Sequence, residues 1–273
     1  LCDKSFKLLG GKEGLEATIS HVGQPESFKY IKDKMFGHPF TEKALFEITE
    51  DIVKGNYSDS HMASFCTVCE GGALSEDEIA FLTKAMVQTG QTIDWGYDIV
   101  VDKHCIGGVP GNRTTNVAIP IVAEFGLHIP KTSSRAITSP SGTADTMEVV
   151  SKVDLNLDEM KKVVHDYNGC LVWGGSVDLS PSDDIIINAK RAINVDSEGQ
   201  MIASILSKKI AAGSTHALID IPVGPTAKVT SQEKGERLKH LFETIGEKAG
   251  IHVKVVLTDG IQPIGKGIGP SLE

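Results

Sequence analysis

The residues best suited to chemistry begin in a glycine-rich segment that follows a short β-branched run. Residues 102–115, DKHCIGGVPGNRTT, precede a predicted helix. Glycines let the backbone approach a ligand closely, and N–H groups at a helix start attract anions. Lys103 adds a positive charge at the rim. The segment predicts a phosphate-type anion site, although its spacing fits neither a Walker A loop nor a dinucleotide fingerprint. A tight connection without a ligand is the alternative.

Three further segments carry polar side chains that could hold a substrate. Residues 131–146, KTSSRAITSPSGTADT, crowd hydroxyl groups together with one arginine and one aspartate. Such a segment can hydrogen-bond a sugar or a phosphate, or it can be a solvated loop. Asp196 precedes a predicted helix on which Ser204 and Lys208 share a face, a pattern that an ordinary surface ion pair also produces. Residues 223–228, VGPTAK, follow a predicted strand and form another candidate anion loop.

The elements that must position these loops fall into two classes. Helical periodicity and capping signals predict short helices over residues 28–90, and residues 156–209 are again predicted to be largely helical. From about residue 97, short strands at 98–102, 217–221 and 253–257 alternate with loops and helices. This alternation predicts an α/β fold with its loops on one edge.

The 273 residues therefore divide into interleaved domains. Residues 26–96 and about 156–211 are expected to form a helical domain. Residues 97–155 and about 212–273 are expected to form an α/β domain with a central sheet. Residues 1–25 are expected to be the remnant of an N-terminal domain, and the glycine-rich final residues suggest truncation at that end too.

Composition narrows the possible partners. The net charge of −9 argues against nucleic-acid binding, which usually needs a basic face. No apolar run approaches the ~20 residues of a membrane span, and the start lacks signal-peptide features, so a cytoplasmic protein is expected. Five cysteines suit a reducing compartment. The pair Cys66 and Cys69 is predicted to occupy one buried helix face rather than a zinc site.

Together these segments resemble the thymidine/pyrimidine-nucleoside phosphorylase family. The resemblance rests on residues 102–109 (DKHCIGGV), 133–149 (SSRAITSPSGTADTMEV), 195–197 (VDS) and 203–209 (ASILSKK). It runs from about Phe28 to the last residue, and the forms GGVPGN and SRAITSP look closest to the type-2 branch, which includes AMP phosphorylase. The resemblance implies a helical domain and an α/β domain with the substrate cleft between them, phosphate on the α/β side of that cleft, and a homodimer.

The resemblance also implies roles for individual residues. Asp196 would be the proton donor to the departing base, and Gly108 would contact the nucleotide or phosphate. Lys103 and His104 correspond to residues near phosphate and base, and Lys208 to a lysine at the base. The remaining substrate contacts would come from Ser134, Arg135, Ala136, Ile137, Thr138, Ser139, Thr143, Ser204 and Lys228. No metal or other cofactor is expected, because inorganic phosphate is the co-substrate.

Two positions bear on what the site accepts. Cys105 stands where many members have a serine that helps to hold phosphate, and a thiol is a weak donor. Lys228 stands where the pyrimidine branch tends to have an apolar residue, and a lysine there favours a 5′-phosphate. The leading hypothesis is phosphorolysis of a nucleoside 5′-monophosphate such as AMP. The alternatives are a thymidine or pyrimidine-nucleoside phosphorylase, an anthranilate-type phosphoribosyltransferase, and a non-catalytic nucleotide-binding protein.

Overall fold

The computed structural model describes residues 3–8, 10–12, 14, 16, 18, 23–71, 74–107, 113–136, 140–177 and 179–273. Its helices are α1 (Asp3–Leu8), α2 (Phe28–Met35), α3 (Glu42–Val53), α4 (Asp59–Gly71), α5 (Glu76–Gln88), α6 (Thr114–Glu124), α7 (Thr143–Glu148), α8 (Leu157–Tyr167), α9 (Pro181–Ile193), α10 (Glu198–Ala211) and α11 (Gln232–Ala249). Its strands are β1 (Val101–Cys105), β2 (Ile129–Ser133), β3 (Gly169–Trp173), β4 (His216–Val223) and β5 (His252–Asp259). Within these residues, no helix combines the length and apolar character needed to cross a membrane.

The first helices form where their capping residues predict them. The Thr41 hydroxyl accepts the Ala44 N–H at the start of α3, and Ser75 and Glu78 form a reciprocal capping box at the start of α5. Helices α2 to α5 then bury a shared apolar core with α9 and α10. The largest fully buried side chains that these helices contribute are Ile31, Leu45, Ile48, Ile52, Phe65, Leu82, Met86, Ile202 and Leu206. The expected helices between residues 28 and 90 are therefore confirmed.

Cys66 and Cys69 lie inside that core. Both belong to α4 and are fully buried, at 0% and 1% exposure. Burial raises the pKa of each thiol, so both are neutral apolar core side chains at physiological pH. The expectation that this pair occupies a buried helix face is confirmed.

The strands run parallel, which brings the predicted loops to one edge. One sheet has the order β1-β4-β5, and β2 pairs with β3 in a second. A parallel bridge between Val100 and His128 links β1 to β2. The carboxyl ends of β1, β2 and β4 therefore face the same way, and the loop that follows each of them opens at that edge. Helix α11 covers one face of β4 and β5 through Phe242 and Leu238.

Residues 156–209 are largely helical, as expected, and the structure adds one strand there, β3, that the sequence did not predict. Gly169–Trp173 forms a strand beside β2, with Cys170 and Val172 buried beneath α8. Asn168 ends α8 in the left-handed conformation at φ 60°, which allows the sharp turn into this strand. Five residues with alternating burial give a weak sequence signal, because a run so short cannot be told from a helix segment by periodicity.

Strand β1 begins three residues later than predicted. It spans Val101–Cys105 rather than 98–102, so Lys103 and His104 lie in the strand itself. The register with β4, which pairs Val101 with His216 and Cys105 with Asp220, sets these bounds. Because side chains alternate along a strand, Lys103 and His104 point to opposite faces of the sheet.

Candidate active site

Lys103 is oriented by partners from two neighbouring elements. Its Nζ lies 3.1 Å from Asp220 Oδ2 on β4 and donates a 3.3 Å hydrogen bond to Thr114 Oγ1 at the start of α6. Asp220 is fixed in turn by Thr258, whose hydroxyl donates to Oδ1 at 2.7 Å. The lysine therefore stands beside the N-terminus of α6, where backbone N–H groups favour an anion. Gly108 lies outside the described residues.

Cys105 ends β1 on the same face of the strand as Lys103. Burial, together with the Asp220 carboxylate, raises the pKa of its thiol to about 11. The group is a neutral thiol at physiological pH, so it can offer a phosphate only a weak hydrogen bond. Lys103 and the backbone N–H groups of α6 must supply most of the attraction for an anion here.

The opposite face of β1 carries a buried charge cluster. Asp102 Oδ2 lies 2.6 Å from Lys209 Nζ on α10, and Oδ1 lies 3.7 Å from Lys131 Nζ on β2. The exposed fractions of the three side chains are 0%, 3% and 5%. Buried charges persist only when they are paired, and here one carboxylate serves two lysines.

His104 stands beside this cluster and keeps part of its surface in contact with solvent. Burial by the surrounding protein lowers the pKa of His104 well below its ordinary value, and nearby lysines, of which Lys209 contributes most, lower it further. The imidazole is therefore neutral at physiological pH. A neutral ring can donate one hydrogen bond and accept another, which suits contact with a base or a sugar hydroxyl.

Helix α10 carries predicted site residues at both of its ends. Near its C-terminal end, Lys208 Nζ lies 2.6 Å from the buried carboxylate of Asp183. Before its N-terminus, Asp196 Oδ2 lies 3.7 Å from Lys228 Nζ, which the loop after β4 supplies. Ser204 lies between them on α10 and is half-buried. The structure thus brings Asp196 and Lys228 together.

Asp196 and Lys208 lie near opposite ends of α10. Asp196 precedes the first helical residue, Glu198, and the axis rises about 15 Å from there to Lys208. Their ion-pair partners differ too, Lys228 for Asp196 and Asp183 for Lys208.

The serine-rich loop after β2 is closed at its base by Asp145. This carboxylate accepts the Ala136 N–H at 2.7 Å and the Gly142 N–H at 2.9 Å. Burial would raise the pKa of Asp145, but these bonds and the Arg135 charge outweigh it and lower the pKa. The carboxylate is therefore ionised near neutral pH and holds the two ends of the loop together. Ile137, Thr138 and Ser139, between those ends, lie outside the described residues.

The other predicted residues of this loop have distinct settings. Arg135 pairs with Asp145 at 3.2 Å and with Glu148 at 2.5 Å, and its guanidinium lies 4.9 Å from the centre of the Trp173 ring. These contacts hold the arginine to the frame of the loop. Ser134 and Ala136 are exposed, and the half-buried Thr143 begins α7. These three residues lie at the carboxyl edge of the sheet, where they can contact a ligand.

Asp102, Lys131 and Lys209 were not assigned roles from the sequence. Asp102 and Lys209 are 107 positions apart, so only the folded chain shows that they pair. The available signal for Asp102 and Lys209 was their placement beside residues that were assigned, Lys103 and Lys208. Lys131 has no such neighbour, and lysines are seldom fully buried, so no comparable signal for it was present in the sequence.

Comparison with known proteins shows which family models and which proteins this chain is similar to. The family model described as "Glycosyl transferase family, a/b domain" matches residues 97–272, and "Glycosyl transferase family, helical bundle domain" matches residues 28–90. Proteins named "Putative thymidine phosphorylase" from Hahella chejuensis and from Legionella pneumophila strain Paris are 52% and 53% identical over 273 residues. These alignments cover 100% of this chain but 54% and 53% of the relatives, so the chain spans about half their length.

A solved structure shares the fold at low identity. The crystal structure of anthranilate phosphoribosyltransferase from Thermus thermophilus matches with a TM-score of 0.67 and 16% identity. The match covers 87% of this chain and 68% of that one. It shows that a helical domain joined to an α/β domain is the architecture of both.

Proposed function

We propose that the protein is a phosphate-dependent pentosyltransferase acting on a nucleoside 5′-monophosphate. The premise is that this chain belongs to the glycosyl transferase family, whose models match both its helical and its α/β parts. Phosphate would replace the base at the anomeric carbon, giving the base and ribose 1,5-bisphosphate when AMP is the substrate. The observation that carries the choice is Lys228, whose ammonium stands 3.7 Å from Asp196.

The reaction needs two kinds of help that these residues can give. As the glycosidic bond breaks, positive charge builds on the sugar and negative charge on the base. Protonation of the leaving nitrogen by Asp196 relieves the latter, a contribution of roughly 10²–10⁴-fold. Lys103 and the start of α6 hold phosphate for attack on the anomeric carbon, so that positioning supplies much of the rate.

Lys228 links the substrate's 5′ end to this acid. The Lys228 side chain is 37% exposed and that of Asp196 is 69% exposed, so their pair is weak, worth at most ~1 kcal/mol. A 5′-phosphate dianion competes well for the same ammonium, since hydrogen bonds between charged groups are the strong ones. Binding of the nucleotide then draws Lys228 from Asp196 and leaves this carboxyl group free to face the departing base.

A thymidine or pyrimidine-nucleoside phosphorylase is the second candidate. It is favoured by the names of relatives that are about half identical over the whole of this chain. The same residues would then act on a nucleoside, and Lys228 would have no 5′-phosphate to bind. For both candidate functions we also predict a homodimer and a cytoplasmic location.

Base release from AMP and from thymidine, each with and without phosphate, tests the proposal. We expect phosphate-dependent release from AMP. Lys228→Met should raise the KM for AMP by roughly 10- to 100-fold, the value of one charged hydrogen bond, and should leave thymidine turnover unchanged. Lys234→Met is the matched control, because Lys234 is an exposed lysine of α11 and should alter neither reaction.

The result can fail in two ways. Turnover of thymidine but not AMP would keep the phosphorylase mechanism and overturn the choice of a nucleotide. An unchanged KM for AMP in the Lys228→Met variant would overturn the role of this lysine. The absence of base release from both substrates in the presence of phosphate would overturn the phosphorolysis proposal.

A further inference from the structure

Lys131 is a buried lysine at the base of the candidate site. It is the third residue of β2, the strand that leads into the serine-rich loop, and its side chain is 5% exposed. Its Nζ donates a hydrogen bond to the Thr132 carbonyl oxygen and lies 3.7 Å from Asp102 Oδ1. Among the residues that the structure describes, Asp102 is the carboxylate within ion-pair distance of this amine.

Asp102 is already engaged by a second lysine. Lys209 Nζ lies 2.6 Å from Asp102 Oδ2 in a pair that is almost wholly buried, whereas Lys131 Nζ lies 3.7 Å from Oδ1. One buried carboxylate balances one positive charge, and the shorter contact is the one to Lys209. Lys131 is therefore the buried amine without a full counter-charge.

The groups packed around Lys131 leave it without a counter-charge of its own. Burial is the largest cause that lowers the pKa of Lys131 to about 7; the charge of Asp102 opposes this shift, and the charges of Lys209 and Lys103 add to it. His104 on β1 is neutral, and burial raises the pKa of Cys170 on β3 to about 12, so this thiol is neutral too. One added negative charge would therefore be enough to make the ammonium form of Lys131 the stable one.

His104 is the partly exposed residue next to the cluster. Lys209, Lys131, Lys208 and Lys103 lie close enough to lower the pKa of its imidazole. An anion that enters beside His104 therefore meets the field of Lys131. The charges are buried, where interactions are screened much less than at the surface.

We propose that Lys131 is a proton-linked anion-binding residue, a neutral amine while the site is empty and an ammonium when a phosphate group lies beside the cluster. The proton comes from solvent, so binding of the anion takes up a proton. This inference rests on the proposed function only in that a phosphate group is the ligand. It gives the site a way to hold a dianion without burying an unpaired positive charge when the dianion is absent.

Calorimetric titration measures the proton directly. Inorganic phosphate, and separately AMP and sulfate, are titrated into the protein at pH 8 in buffers of different ionisation enthalpy. The slope of the apparent enthalpy against that enthalpy counts the protons taken up. With a pKa of about 7, Lys131 is about nine-tenths neutral at pH 8, so we expect up to about 0.9 proton per anion. Sulfate excludes the titration of phosphate itself.

Three variants make the assignment to one residue. Lys131→Met and Lys131→Arg should each abolish the uptake, the first because it has no amine and the second because its charge is permanent. In the wild type, the Kd for sulfate should rise up to about 10-fold per pH unit between pH 8 and 9, whereas it should be flat in both variants. Lys162→Met, which removes an exposed lysine of α8, should keep the wild-type uptake.

Each outcome decides the matter. Anion binding without proton uptake in the wild type, uptake that persists in Lys131→Met, or no binding of any of the three anions would overturn the proposal. Proton uptake that Lys131→Met abolishes would support the role of Lys131 even if neither AMP nor thymidine released a base. The absence of base release would overturn only the proposed phosphorolysis. Base release without proton uptake would overturn only the role of Lys131.

Discussion

Lys131→Met should change how the stability of the folded protein depends on pH. Burial, with the charges of Lys209 and Lys103, lowers the pKa of Lys131 from 10.5 to about 7 in the folded state. Between those values the unfolded chain binds a proton at this position that the folded chain does not. The free energy of unfolding of the wild type therefore gains from rising pH across this window, and methionine removes that gain.

The size of the effect follows from the same shift. Each proton bound by the unfolded state alone changes the free energy of unfolding by about 1.4 kcal/mol per pH unit. The difference in bound protons is about one half at pH 7 and close to one at pH 8 and 9. The wild type should therefore gain about 2 kcal/mol from this residue between pH 7 and 9, which is roughly 4–8 °C in Tm for a chain of this size.

Urea unfolding of the wild type, Lys131→Met and Lys162→Met at pH 7, 8 and 9 is the assay. Lys131→Met should be the more stable protein at pH 7, and its advantage over the wild type should shrink by about 2 kcal/mol by pH 9. Lys162→Met removes an exposed charge and should run parallel to the wild type. A profile of Lys131→Met that also runs parallel to the wild type would refute the claim that this amine is neutral in the folded protein.

Three further changes have definite expected outcomes. Lys209→Met leaves the buried Asp102 without its 2.6 Å partner and should lower the free energy of unfolding by about 3–5 kcal/mol in a urea titration; an unchanged midpoint would contradict the pairing. Asp145→Asn replaces the acceptor of two backbone N–H groups with a neutral amide, and we expect the KM for AMP to rise roughly 10-fold, more than kcat falls, in steady-state assays. Burial would raise the pKa of Glu78, but its hydrogen bonds, including the one from Lys34, outweigh burial and lower the pKa. The ionised carboxylate therefore stabilises the folded protein above about pH 4.5, and this contribution is lost as pH falls through the lowered pKa. Glu78→Gln should remove that pH dependence from an acid-unfolding curve.

The parts of the fold that could be predicted are those with a local signal. Ser75 and Glu78 are three residues apart, and their reciprocal hydrogen bonds need nothing from the rest of the chain. The start of β1 is different, because its pairing with β4 sets it, and that partner lies more than 100 residues away. β3 is a further case, since a five-residue strand is specified by its place between β2 and α8 more than by its own pattern.

The same division between local and distant partners runs through the site. A role for Lys103 could be predicted, because the glycine-rich segment around it and the helix that follows indicate an anion site. Lys131 could not, because a lysine is expected to be exposed, and only the fold shows that it shares Asp102 with Lys209. A buried amine in that position is unfavourable when charged, and the fold keeps it where a phosphate group could supply the missing charge. The burial of Lys131 on β2 and its share in Asp102 are therefore the observations on which its proposed role rests, and no sequence motif carries them.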